Sequence, residues 1–259
     1  MGKGTETMGC EGYGALASVY EQLNSEIDYV AWADYVEKKF DAFLSKRPTL
    51  VLDLACGTGT MTRELSRRGY DMIGVDGSAD MLSQAMMAGQ PHPILYLEQD
   101  MRSFELYGTV GATVCCLDSI NYLLAPDDVQ KTFSLVYNYL DPDGLFLFDI
   151  NTPYKFECVY GDNDYILEDE ENGVYCGWQN HYDRETQLCD FDLSIFTPDA
   201  AGKYRRYDEH QMERCYARKT METLLKNTGF ELLSVDADFF GNAPNETAER
   251  WYFTARCKK

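Results

Sequence analysis

The stretch Thr49 to Thr60, TLVLDLACGTGT, constrains this chain more than any other. Leu50, Val51, Leu52 and Leu54 form a short apolar run broken by Asp53, Gly57 and Gly59 follow, and a helical pattern begins at Thr60. That order predicts a strand, a tight turn and a helix. Glycine is needed where the backbone takes a positive φ or lets a ligand lie against it, and the first N–H groups of the next helix lack intrahelical partners. The turn reads as a small-molecule cradle, although a G-x-G after a strand also suits a plain βα turn.

What the turn lacks narrows the ligand. A dinucleotide fingerprint, G-x-G-x-x-G, needs a third glycine where this chain has Thr62. Asp53 on the strand suits a cationic amino group and repels a pyrophosphate. A second acid, Asp76, ends the next apolar stretch, Met72 to Val75, near the ~20-residue spacing of a carboxylate that binds ribose hydroxyls. Taken alone, Asp76 also suits the N-cap of a helix over 79–88, and Asp100 a turn. Together the acids fit an amino-acid nucleoside.

On these residues the sequence resembles the class I S-adenosylmethionine-dependent methyltransferases. VLDLACGTGT resembles their first motif, GVDGSADML their second and QDMRSF their adenine loop. The resemblance implies cofactor contacts from Asp53, Ala55, Cys56, Gly57, Thr58 and Gly59, from Asp76, Gly77 and Met81, from Asp100 and Met101, and from Leu117 and Ser119 in CCLDSINYL. LDLACGTG, CCLDSINYL and FLFDIN, in that order, are most similar to small bacterial methyltransferases of unassigned substrate. Those carry an inserted antiparallel sheet and are similar to glycine/sarcosine and amino-sugar N-methyltransferases. The family's amino-terminal segment folds over the cofactor as a lid, which makes Tyr13, Tyr20 and Trp32 candidate contacts; packing is the competing role of Trp32.

Composition excludes several partners. The formal charge of −20, from 43 acids against 23 bases, argues against nucleic acid and anionic membranes, because phosphate binding draws on Lys and Arg. Nine scattered cysteines without a C-x-x-C pair suit reduced, buried thiols in the cytoplasm, and the three histidines lack zinc-ligand spacing, so no metal is expected.

After Asp28, a candidate N-cap, a helical pattern runs to Pro48. Strands at 50–54, 72–75, 94–98, 112–117 and 144–150 alternate with helices at 58–68, 79–88 and 126–140, which predicts a parallel sheet covered on both faces. Period-two aromatic patterns at 174–182, 188–196 and 203–216 then predict an antiparallel insertion, before helix 219–227 and strands 231–237 and 248–256. The acidic cluster Asp162, Asp164, Glu168, Asp169, Glu170 and Glu171 reads as a solvated loop. The expected fold is an α/β, Rossmann-like seven-stranded methyltransferase sheet with helices on both faces plus a small antiparallel β insertion. Residues 1–152 and 216–259 form the cofactor-binding domain with its helical lid, and 153–215 a substrate cap whose exposed edge strand suits a homodimer.

The function expected is methyl transfer from S-adenosylmethionine to a small molecule, a possible amine, with nitrogen favoured over oxygen. A protein or tRNA methyltransferase and a non-catalytic cofactor-binding sensor are the alternatives. Tyr122 stands where the similar amino-sugar enzymes carry a histidine, and it suits either substrate orientation or packing of the turn onto the insertion. His210 is a candidate acid or base from the insertion, with a structural role as its competitor.

Overall fold

A computed structural model describes residues 14–89 and 92–259. Two helices come first, α1 (Gly14–Leu23) and α2 (Tyr29–Phe43), and the Asp28 carboxylate caps α2 by accepting the Ala31 N–H at 2.9 Å. Next come β1 (Leu50–Leu54), α3 (Thr60–Arg67), β2 (Asp71–Asp76), α4 (Ala79–Met87), β3 (Leu95–Glu98), β4 (Val110–Cys115), a 3-10 turn (Ser119–Tyr122), α5 (Pro126–Tyr139) and β5 (Leu140–Asn151). A π-helical segment (Lys155–Tyr160) leads into β6 (Asp164–Asp169), β7 (Val174–Asp183), β8 (Leu188–Pro198) and β9 (Tyr204–Arg214). The chain closes with α6 (Arg218–Thr228), β10 (Phe230–Asp236) and β11 (Arg250–Cys257).

A seven-stranded sheet runs β10-β11-β5-β4-β1-β2-β3, and a separate four-stranded antiparallel sheet runs β6-β7-β8-β9. The five strands expected to run parallel, β1 to β5, do so, and β11 lies antiparallel between β10 and β5. No helix lies between β10 and β11, so no crossover returns the chain to a parallel course.

Period-two alternation sorts side chains into two layers. On β5, Phe146, Phe148 and Ile150 join the layer under α5 and α6, whereas Leu145 and Leu147 join the layer under α2 and α3. Asp149 and Asn151 share the second parity, so they point away from the phenylalanines. A third core lies inside the small sheet, where Phe156, Tyr160, Phe191 and Ile195 meet Leu16, Val19 and Leu23 of α1. Helix α1 is thus held by the insertion, and the Leu16 N–H donates to Glu209 Oε1 of β9 at 2.7 Å.

The acidic cluster is also corrected. Asp164 to Asp169 form edge strand β6, with Tyr165 and Leu167 half-buried and Asp164, Ile166 and Glu168 exposed. The charges concealed a period-two pattern with only two inward apolar residues. No described helix is long and apolar enough to cross a membrane.

Candidate active site

β1 ends in a turn of left-handed backbone: φ is 58° at Ala55, 55° at Gly57 and 76° at Gly59. At Gly59 a Cβ atom would lie 2.4 Å from the Tyr96 hydroxyl oxygen and 3.0 Å from Ala85 Cβ, so packing adds to the left-handed backbone in favouring glycine there. At Gly57 a Cβ would meet nothing within 4 Å, which leaves space for a ligand against the backbone. Ala55 takes a conformation that costs a non-glycine residue about 1–2 kcal/mol, and such strain collects at ligand sites.

Asp76 fastens this turn from β2. Its Oδ2 accepts the Gly57 N–H and its Oδ1 the Ser78 N–H, both at 2.8 Å. Each oxygen keeps a lone pair for a ribose hydroxyl. The N-cap of α4 is Ser78, whose hydroxyl oxygen accepts the N–H of buried Met81 at 3.3 Å, so Asp76 does not serve as the cap. Burial pushes the Asp76 carboxyl up, opposed by the N–H groups of Ser78, Gly57 and Gly77.

Asp53 is closed from solvent, at 1% exposure, and faces α3, where Thr62 donates to its Oδ2 at 2.5 Å. Thr62, in the place of a third glycine, therefore supplies the hydroxyl that holds the strand acid. Burial pushes the Asp53 carboxyl up to about 7 against that hydrogen bond. A folded-state pKa raised above the ordinary ~3.9 favours folding fully below pH ~4, and that contribution is lost as pH rises through 7. Asp53→Asn is thus expected to stabilise the ligand-free protein at pH 8, by up to ~4 kcal/mol, and to change little near pH 4.5. Thermal melts at the two pH values check this, and an equal shift at both would contradict it.

Helix α1 reaches the turn through Glu21, whose Oε1 accepts the hydroxyls of both Thr58 and Thr60. Burial pushes the Tyr20 hydroxyl up, as do the charges of Asp118, Glu21 and Asp76, against that of Arg250. Tyr13 lies outside the described residues. Trp32 is buried against Phe239 and Tyr252, with ring centroids 5.3 and 5.6 Å away, so packing occupies it. The Cys56 N–H donates to Val75 O at 3.0 Å, which ties the turn to β2. Asp100 forms a turn with Arg102, whose Nε donates to its oxygens at 2.9 and 3.0 Å, and that contact holds the Asp100 carboxyl below its usual range. Met101 packs against the main core beside it.

The second part of the site stands at the ends of β4, β5 and β11. Leu117 and Asp118 have φ of 60° and 53°, and the Ser119 hydroxyl donates to Cys116 O at 2.8 Å. The Tyr122 hydroxyl donates to Gln211 Oε1 of β9 at 3.0 Å, joining this turn to the insertion. His210, the next residue, has the opposite parity: it is exposed and lies 2.9 Å from Asp192 and 3.3 Å from Asp190. The structure does not bring His210 to Tyr122, which corrects its expected place.

Beneath Tyr122 lies a buried polar network that sequence reasoning missed. Arg250 Nη1 contacts Asp149 Oδ2 and lies 3.0 Å from Asp118 Oδ1, and the Asp118 N–H donates to Asp149 Oδ2 at 2.9 Å. Asn151 Nδ2 donates to Asp118 Oδ2 at 2.6 Å and to Glu213 Oε2 at 3.0 Å. Burial would raise the Asp118 carboxyl, but Arg250 and Lys155 together hold it low. Glu213 is pushed well up by burial and then by Asp118. The FLFDIN motif contains Asp149 and Asn151, but nothing local marks Arg250 or Glu213 as their partners.

A family model described as a methyltransferase domain matches residues 51–144, and the ubiE/COQ5 methyltransferase family matches residues 6–95. With the strand order and the glycine turn above, and the relatives that follow, the chain belongs to the S-adenosylmethionine-dependent methyltransferases. It is 36% identical over 249 residues to YqeM of Bacillus subtilis (strain 168), named as a methyltransferase without a stated substrate, covering 95% of this chain and 98% of that protein. The crystal structure of an S-adenosylmethionine-dependent methyltransferase from Clostridium acetobutylicum ATCC 824 shares 30% identity at a TM-score of 0.84, over 95% of this chain and 99% of that one. A glycine/sarcosine N-methyltransferase of Halorhodospira halochloris is 32% identical over 158 residues, 58% of this chain and 57% of that protein. The cofactor is S-adenosylmethionine, which supplies an electrophilic methyl group on a sulfonium. The residues present suit it: open space faces the Gly57 backbone, and Asp76 holds the turn while keeping acceptor capacity for the ribose.

Proposed function

We propose that this chain transfers the methyl group to the nitrogen of a small-molecule amine, with the insertion as a cap over the acceptor. The observation that carries this is the face β9 turns inward over the end of β4: Glu209, Gln211 and Glu213 alternate there, with Gln211 meeting Tyr122. Carboxyl, amide and phenol groups suit an amine, whereas a phosphorylated or polyanionic acceptor finds few cations in a chain of charge −20. The relative from Halorhodospira halochloris carries an N-methyltransferase name, which supports the same reading. Free, mostly buried thiols support a reducing, cytoplasmic setting.

The test is transfer of a labelled methyl group to ethanolamine, glycine, sarcosine, glucosamine and their hydroxyl analogues without the amino group. Label on nitrogen is expected. Label confined to the hydroxyl analogues, or found only on added RNA or protein, would overturn the reading.

A further inference from the structure

We propose that Glu213 is the carboxylate that anchors the substrate's ammonium group and takes its proton before methyl transfer. The inference rests on the amine reading above. Glu213 is 2% exposed and stands on the last strand of the insertion, yet its Oε2 shares a single donor, Asn151 Nδ2, with Asp118 Oδ2. Two carboxyl groups on one amide need a cation to stay ionised. Arg250 is engaged with Asp118 and Asp149, Lys155 acts on Asp118 and Glu213 from over the Tyr160 ring, and among the described residues no cation lies within 4.0 Å of Glu213.

Another group beside Glu213 also lacks a donor. Asn151 Oδ1, on the amide that serves Glu213, is a buried acceptor without a hydrogen-bond partner, in a residue that is 0% exposed. An ammonium brings three donors and a positive charge, which meets this shortage of both. Of the nearby rings, Tyr160 already faces the Lys155 ammonium at 5.1 Å and packs 5.6 Å from Trp178 and 5.1 Å from Phe191, and the buried Trp178 indole N–H has no acceptor, so it can donate to an oxygen of the substrate. The ionisable groups facing Glu213 are Asp118 beyond β4, Lys155 and Tyr160 of the π-helical segment, Cys189 of β8 and Arg250 of β11.

The balance of the step is simple. The ammonium N–H proton passes to the Glu213 carboxylate, which frees the nitrogen lone pair. That pair forms the N–C bond as the C–S bond breaks, and sulfur keeps the electron pair of the broken bond. Burial and Asp118 push the Glu213 carboxyl up and a bound ammonium opposes both, so binding an ammonium at pH 7 should expel a proton to solvent.

The experiment uses the full chain and four probe amines, ethanolamine, glycine, sarcosine and glucosamine. Calorimetry of the tightest binder, without cofactor and in two buffers of different protonation enthalpy, should show release of about one proton per amine. Glu213→Gln should abolish that release and lower kcat/KM by about 10²–10⁴-fold while leaving S-adenosylmethionine affinity unchanged. Glu213→Asp should restore part of both effects, and it is the reporter if the glutamine variant fails to fold. Equal proton release and equal kcat/KM in wild type and Glu213→Gln would overturn this assignment and leave the amine reading standing. Failure of the wild type to bind or methylate any of the four amines would overturn both.

Discussion

Asp76→Ala is expected to weaken S-adenosylmethionine binding by about 10²–10⁴-fold. Two ribose hydrogen bonds to a charged acceptor are worth ~1.5–3 kcal/mol each, and their sum converts to that range. The loss reaches further than the ribose, because the same carboxylate accepts the Gly57 and Ser78 N–H groups at 2.8 Å. Without it the turn loses the anchor that leaves open space above Gly57. Asp76→Asn keeps one acceptor and should fall between wild type and alanine. Isothermal titration with cofactor and with its demethylated product measures both variants; unchanged affinity in Asp76→Ala would remove Asp76 from the ribose site.

Arg250→Ala should produce a large loss of stability. Its guanidinium contacts two buried carboxylates, Asp118 and Asp149, and removing one partner of a buried ion pair typically costs 3–5 kcal/mol through the charge left behind. That is a large share of the roughly 5–15 kcal/mol that stabilises a typical protein, and for this chain length it lowers Tm by roughly 6–20 °C. The sign of the pH dependence follows from Asp118. Arg250 and Lys155 hold its folded pKa low against burial, so its favourable contribution is present above pH ~4 and lost only in stronger acid. In the variant both carboxyls can take up protons instead, so the deficit should shrink from pH 8 to pH 5. Melting curves of wild type and variant at the two pH values test this, and a deficit that grows on acidification would refute the charge argument.

The cofactor half of the site was legible in the sequence because its parts are local or separated by one strand–helix unit. Gly57 and Gly59 lie in one turn, and Asp76 is the end of the adjacent strand. The buried polar network around Asp118 was not legible. Arg250 meets Asp118 and Asp149 across the whole insertion, and β11 reaches them only because it runs antiparallel beside β5, pairing Arg250 with Asn151. Strand β6 escaped notice for a different reason: a two-residue inward pattern among acids carries little hydrophobic signal.

The sequence by itself determined the alternating α/β order, the glycine turn with its two acids, and the parity of insertion strands β7, β8 and β9. These depend on backbone sterics and on the side-chain period, both local properties. Parity states which residues share a face but not which face is turned inward. The tertiary structure decided that on β9, where α1 and the Tyr122 turn pack against the row containing Glu209, Gln211 and Glu213. His210, one residue out of step, was thereby left on the outer face with Asp190 and Asp192, and Glu213 was buried at the end of β5.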